Sequence, residues 1–117
     1  MSTHTGSCHC GAVRYTVDVD LSKPVISCNC SMCGRSGTML AFVSSAQFKL
    51  EQGSDALTDY LFNKEKIHHL FCKVCGIKSF ARGPGPGGKP MAAVNVRCLD
   101  GVDPATLQVT HYDGKSA

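Results

Sequence analysis

The sequence predicts a mainly β fold, built as one compact domain over residues 1–117. Apolar and polar residues alternate from Val13 to Val19, which is typical of a half-buried strand. Other short apolar runs stand between turns that contain glycine or proline, and no stretch keeps the periodicity of a helix. A chain of 117 residues buries a modest share of its surface, so we expect a bound metal ion to stabilise the fold in addition to the hydrophobic core.

The predicted elements are short and follow one another through polar turns. A strand over 13–19 comes first, and Val25–Ile26 behind Pro24 predicts a second. The remaining predictions are a strand over 39–43, a turn or strand over 47–50, a hairpin of 58–62 and 67–71 around residues 63–66, a loop over 83–88, a strand over 91–96 and one helical turn over 103–107. The run 39–43 is continuously apolar, so we expect it to be buried.

Eight cysteines are the most informative feature of the composition. Cys8 and Cys10 form a C-x-C, and Cys28, Cys30 and Cys33 form a C-x-C-x-x-C. Cys72 and Cys75 form a C-x-x-C, and Cys98 stands alone. The polar start of the chain has no secretory signal, so we expect a cytoplasmic protein with reduced thiols, in which clustered cysteines bind metal. A secreted protein with disulfides is the alternative.

A glycine directly follows each of the three cysteine groups, at Gly11, Gly34 and Gly76. In a metal-binding knuckle the backbone turns its N–H groups toward the sulfurs, and the residue that closes the bend often needs a positive φ. Glycine adopts such a φ without steric cost. The spacing therefore favours zinc knuckles and predicts a positive φ at all three glycines.

Seven of the cysteines divide naturally into a group of four and a group of three. A structural zinc takes four ligands, which a C-x-C and a distant C-x-x-C would supply, namely Cys8, Cys10, Cys72 and Cys75. The three thiols of Cys28, Cys30 and Cys33 would leave one position of a second, catalytic zinc open. Two alternatives remain: a fourth protein ligand, from Cys98, His68, His69 or His111, or a crossed pairing of the groups.

Charge and hydropathy give no support for a nucleic-acid or membrane partner. The formal net charge is +3, which the thiolates of two zinc sites would cancel, and there is no basic run. No segment approaches the roughly 20 apolar residues of a membrane span.

The remaining chemistry-bearing residues have less specific patterns. His68 and His69 are adjacent on a predicted strand, so they point to opposite faces and one of them is expected to be buried. His9 lies inside a knuckle and is expected to face solvent. Cys98 stands alone, which favours a core thiol over a nucleophile. The Gly-Pro loop over 83–88 is a connection of the kind that can wall a pocket.

The cysteine motifs and their surroundings resemble the glutathione-dependent formaldehyde-activating enzyme family. The resemblance runs over nearly the whole chain, in segments 8–15, 28–37, 71–76, 95–103 and 111–115. It implies an Mss4-like fold of coiled antiparallel β-sheets around zinc. It also implies a structural zinc on Cys8, Cys10, Cys72 and Cys75, and a more labile catalytic zinc on Cys28, Cys30 and Cys33.

The resemblance further implies a carbon–sulfur lyase that joins glutathione to formaldehyde to give S-(hydroxymethyl)glutathione. The expected partners are then a small thiol such as glutathione and an aldehyde, and Arg35 is a candidate for holding the glutathione carboxylates. One alternative is a non-catalytic zinc-stabilised binding module, because the family includes centromere protein V. The other is a redox enzyme similar to B-type methionine sulfoxide reductases, with Cys98 as the attacking thiol.

Overall fold

The structure is a computed structural model, and it describes residues 2–29, 31–61 and 67–113. Within these ranges the chain forms ten strands and one short α-helix, joined by turns and single 3-10 turns. The elements are β1 (Ser2–Ser7), β2 (Arg14–Val19), β3 (Val25–Cys28), α1 (Ser31–Ser36), β4 (Leu40–Ser44), β5 (Phe48–Gln52), β6 (Leu57–Tyr60), β7 (His68–Cys72), β8 (Phe80–Pro84), β9 (Pro90–Asn95) and β10 (Val109–Tyr112). The mainly β prediction is confirmed.

The strands form two sheets. A three-stranded sheet has the order β1-β2-β5, and a seven-stranded sheet has the order β10-β3-β4-β9-β8-β7-β6. All the described strand pairs are antiparallel except β10 and β3, which run parallel along one edge of the larger sheet. β6 and β7 pair as the predicted hairpin, and its turn at residues 63–66 lies outside the described residues.

The main core lies between the two sheets, because alternate side chains of each sheet point inward. The predicted period-two segment contributes Val13, just before β2, and Tyr15 and Val17 of β2, and the larger sheet contributes residues such as Phe80 and Val94. The rings of Tyr15, Phe48 and Phe80 meet with centroids 4.6 to 6.0 Å apart, which is the range of favourable aromatic packing. This cluster therefore packs residues of the two sheets against each other.

The outer face of the seven-stranded sheet carries a second, smaller apolar cluster. Leu40, Ala81 and Ala93 point to this face and pack against Cys33 of α1, with Cys28 at the margin. Gly37, at φ +68°, follows the helix, and its N–H donates to the Cys33 carbonyl at 3.0 Å. The helix therefore ends at a glycine suited to a left-handed backbone.

Several predicted elements agree with the structure within a residue or two. The strands over 13–19, 25–26 and 91–96 are β2, β3 and β9, and the segment 47–50 belongs to strand β5. The helical turn is the 3-10 turn Pro104–Thr106, where the Asp103 carboxylate accepts a hydrogen bond from the Ala105 N–H at 3.0 Å.

Two predictions about the strands hold only in part. The segment 83–88 is not all loop: β8 continues to Pro84, which pairs with Pro90 at the last rung, where proline's missing N–H donor costs little. The run 39–43 does form β4 and four of its five residues are buried as predicted, but Phe42 remains 53% exposed, because it points to the outer face and α1 covers only part of that face. The sequence also gave no signal for β1, β8, β10 or α1.

Candidate metal centre and adjoining cavities

Four thiols converge at one end of the core. The Sγ atoms of Cys8, Cys10, Cys72 and Cys75 all lie within 4.8 Å of one another. The Cys10 sulfur is 3.6 Å from the Cys8 sulfur and 3.6 Å from the Cys72 sulfur. The structure thus brings together the C-x-C and the C-x-x-C that are more than 60 residues apart in the sequence.

These distances suit a tetrahedral metal ion. Four sulfurs that each lie about 2.3 Å from one zinc are roughly 3.8 Å apart. The sulfur–sulfur distances observed here are close to that value and far longer than the roughly 2.05 Å of a disulfide bond. The donor set and its spacing therefore fit a metal ion, and an all-thiolate set is one that zinc favours.

Backbone N–H groups surround the sulfurs, as expected for knuckles. The N–H of Val13 donates to the Cys8 sulfur and that of Val74 to the Cys72 sulfur, each at 3.4 Å. The Cys10 and Ile77 backbone N–H groups lower the pKa of Cys75 to about 6. Such donors stabilise thiolate, the form in which cysteine binds metal.

Tight turns close both of these knuckles. The N–H of Gly11 donates to the Cys8 carbonyl at 3.3 Å, and that of Gly76 to the Cys72 carbonyl at 2.8 Å. Their φ angles are +82° and +81°, which confirms the prediction for both glycines. The prediction was wrong for Gly34, which lies inside α1; the left-handed residue of that segment is Gly37.

The second cysteine group is divided between a strand and the helix. Cys28 ends β3 and is half-buried, while Cys33 lies buried in α1. Both belong to the outer-face cluster, so the fold brings the two thiols to one region of the sheet. Cys30 lies outside the described residues, and the role of this group as a metal site stays a prediction.

Two cavities adjoin the second group. One, of about 400 Å³, is lined by Cys28 itself and by polar residues at the ends of β3 and β10, among them Asn29, His111 and Asp113. Asn29 Nδ2 donates to Asp113 Oδ1 at 3.0 Å across one wall. The other, of about 390 Å³, is apolar and shares Ala81 and Ala93 with the cluster that contains Cys33.

The histidines named from the sequence occupy different environments. His9 is exposed, as predicted. His68 and His69 point to opposite faces: His68 pairs with Asp59 at 2.6 Å between Nδ1 and Oδ2, and His69 is buried. The four-thiol group contains neither of them, and His111 lines the polar cavity beside Cys28.

One feature near the outer-face cluster had no signal in the sequence. Lys78 is buried, and its Nζ lies 2.7 Å from Nδ1 of His69. Burial and the Lys78 charge lower the pKa of His69 to about 4, so this histidine is neutral at pH 7. The contact depends on the irregular segment before β8, which strand and spacing rules do not describe.

Cys98 has a less favourable position for the attacking role considered from the sequence, whereas the role of Arg35 stays a prediction. Cys98 is half-buried, and burial raises the pKa of its thiol, which disfavours the reactive thiolate. This argues against the sulfoxide reductase alternative. The Arg35 guanidinium donates to the Ser31 carbonyl at 3.1 Å on the exposed surface of α1.

Comparison with known proteins agrees with this architecture. A family model described as glutathione-dependent formaldehyde-activating enzyme matches residues 3–112. The chain belongs to that family. A crystal structure of a Rhodobacter sphaeroides protein, a structural-genomics target, has the same fold, with a TM-score of 0.79 and 31% sequence identity over 91% of this chain and 99% of that one. The family assignment from the cysteine motifs is therefore confirmed.

Among the described residues, no helix has both the length and the apolar character needed to cross a membrane.

Proposed function

We propose that this protein is a zinc-dependent carbon–sulfur lyase-type enzyme that forms and cleaves the adduct of a thiol and an aldehyde. Glutathione and formaldehyde are the pair that the family description indicates. The observation that carries the proposal is the contrast between two cysteine groups. One is a closed cluster of four thiols, and the other places Cys28 on the wall of a cavity.

In this proposal the two groups have different tasks. A zinc ion on Cys8, Cys10, Cys72 and Cys75 would be structural, because four protein ligands leave no position for a substrate. It would tie the turn between β1 and β2 to the end of β7. The reduced thiols that this requires favour a reducing compartment such as the cytoplasm.

The second site would consist of Cys28, Cys30 and Cys33. A zinc ion bound by these three thiolates would lower the pKa of a substrate thiol and polarise an aldehyde oxygen. This zinc ion would also dissociate more readily than the zinc ion of the four-thiol cluster. Cys28 opens on the polar cavity, whereas Cys33 is held by packing against Leu40 and Ala93. In this proposal one side of the site packs against the outer face of the sheet and the other is open to small molecules.

The reaction needs no oxidant or reductant. The thiol sulfur bonds to the aldehyde carbon, the carbon–oxygen π pair moves to oxygen, and the thiol proton ends on that oxygen to give a hydroxymethyl thioether. The reverse reaction breaks the same carbon–sulfur bond. The Asn29–Asp113 hydrogen bond links two residues of the cavity wall beside Cys28, which supports an ordered wall on that side of the proposed site.

Exchange spectroscopy by NMR would test this function, because it measures interconversion of free and thiol-bound formaldehyde above the spontaneous rate. We expect the wild-type protein to accelerate exchange with glutathione or another thiol, and Cys33→Ser to lose the acceleration. Cys98→Ser serves as the matched thiol control and should keep it. A panel of thiols with no acceleration by the wild-type protein would leave a zinc-stabilised binding module as the better account.

A further inference from the structure

The apolar cavity on the outer face of the seven-stranded sheet is a second site of interest. Its volume is about 390 Å³, within the range of small-molecule sites. The walls come from β4, β8, β9 and the residue before β7, with a turn of glycine and proline at one end. The apolar side chains that line it include Phe42, Ile67, Ala81, Met91 and Ala93.

This cavity directly adjoins the second cysteine group. Ala81 and Ala93 form part of its wall and also pack against Cys33. Leu40, which contacts the same cluster, and Phe42, which lines the cavity, lie two residues apart on one face of β4. Two residues of a strand span about 7 Å. A molecule with its reactive atom near the thiols would therefore extend its body into the cavity.

The described lining of the cavity directs no charged group at a ligand. Arg82 is the one charged residue among its described lining residues, and its guanidinium lies 5.1 and 5.4 Å from the ring centroids of Phe48 and Phe80. Those rings belong to the inner core, so the cation is directed away from the outer face. Phe42 and Ile67 are 53% and 50% exposed and would lose unfavourable water contact on binding an apolar group.

We propose that this cavity binds the apolar body of the substrate thiol, so that the preferred substrate is an uncharged thiol with an aromatic or branched aliphatic group. This inference rests on the proposed thiol–aldehyde chemistry at the second cysteine group. Glutathione carries two carboxylates and an ammonium, whose desolvation against these side chains would be costly. A cavity of about 150 Å³ accommodates benzene, so 390 Å³ holds a ring and its linking atoms.

The test compares benzyl mercaptan with glutathione, each with formaldehyde, in the exchange assay. We expect greater acceleration with benzyl mercaptan than with glutathione. Phe42→Ala should lower the kcat/KM for benzyl mercaptan by about 10- to 100-fold, which corresponds to the free energy gained by burying an apolar side chain. Val109→Ala is the matched control, because Val109 is also an exposed apolar strand residue but lies outside the cavity. This control should react as the wild type does.

A binding measurement separates the cavity from the chemistry. Unreactive benzyl methyl sulfide is titrated into the Cys33→Ser protein while backbone amide shifts are recorded by NMR. We expect shifts centred on Phe42 and Ala93, and weaker binding when Phe42→Ala is added. S-methylglutathione, the polar counterpart, should produce no shifts there.

The outcomes distinguish the two proposals. Acceleration that favours glutathione and is unchanged by Phe42→Ala would overturn the substrate class and leave the thiol–aldehyde function standing. No acceleration with either thiol would overturn both. Sedimentation that shows a dimer broken by Phe42→Ala, without sulfide binding, would make this face an interface between copies and would likewise overturn the assignment.

Discussion

Loss of one thiol from the four-cysteine cluster should destabilise the whole fold. A metal there cross-links two segments of the chain, since Cys10 and Cys72 are 62 positions apart. Closing a loop of that length removes about 4 kcal/mol of chain entropy from the unfolded state, by the relation used for disulfides. Domains of this size are stable by about 5–15 kcal/mol, so the cross-link is a large share of the total.

We therefore expect Cys72→Ser to lower the melting temperature by roughly 15 °C or more, or to prevent folding, and a strong chelator to do the same to the wild-type protein. The assay is thermal unfolding followed by circular dichroism under reducing conditions. Cys98→Ser is the control, because Cys98 lies outside the four-thiol cluster and should show a much smaller change. If both Cys72→Ser and the chelated wild type melt within a few degrees of the untreated protein, the cluster is no structural metal site.

Three further predictions concern the fold. Phe80→Ala should cost about 3–5 kcal/mol in urea unfolding, because the ring is fully buried between the sheets; a cost under about 1 kcal/mol would contradict that packing. Gly53→Ala should lower the free energy of unfolding by about 1–3 kcal/mol or more, because Gly53 has a φ of +97° and an added Cβ would collide with the Ala12 carbonyl oxygen. An unchanged urea midpoint would refute this. The pKa of His69 is lowered from 6.5 to about 4, so the unfolded chain binds more protons between these pH values. Stability should therefore fall as pH drops from 6.5 toward 4. His69→Gln should flatten this part of the curve of urea midpoint against pH, and an identical curve would exclude His69 as its source.

The sequence was sufficient for those parts of the fold that depend on local pattern. Alternation from Val13 to Val19 predicts β2, because one face of that strand is buried in the core. The C-x-C and C-x-x-C spacing, each closed by a glycine, predicts two knuckles, since the geometry of a metal-binding turn is set within a few residues.

The parts that sequence reasoning missed depend on tertiary context. β1 and β10 are polar edge strands that contribute little to the core, so they lack an apolar signature and are held by backbone pairing. Helix α1 is six residues long and is stabilised by the packing of Cys33. A helix this short shows no helical periodicity in the sequence. The exposure of Phe42 likewise depends on how much of the sheet the helix covers.

The candidate site divides in the same way. The cysteine groups were recognisable because the spacing of ligands within each knuckle can be read directly from the sequence. The apolar cavity and the Lys78–His69 contact were not, because they arise where β4, β7, β8 and β9 meet. Substrate preference therefore depends on residues that are distant in sequence from the cysteines.

Zinc content per chain tests the central claim most directly. Elemental analysis of the reduced wild-type protein should give two zinc ions, and Cys33→Ser should give one while keeping the wild-type circular dichroism spectrum. Reduced, folded wild-type protein without zinc would contradict the account, and Cys33→Ser with two tightly held zinc ions would exclude Cys33 as a ligand of the second site.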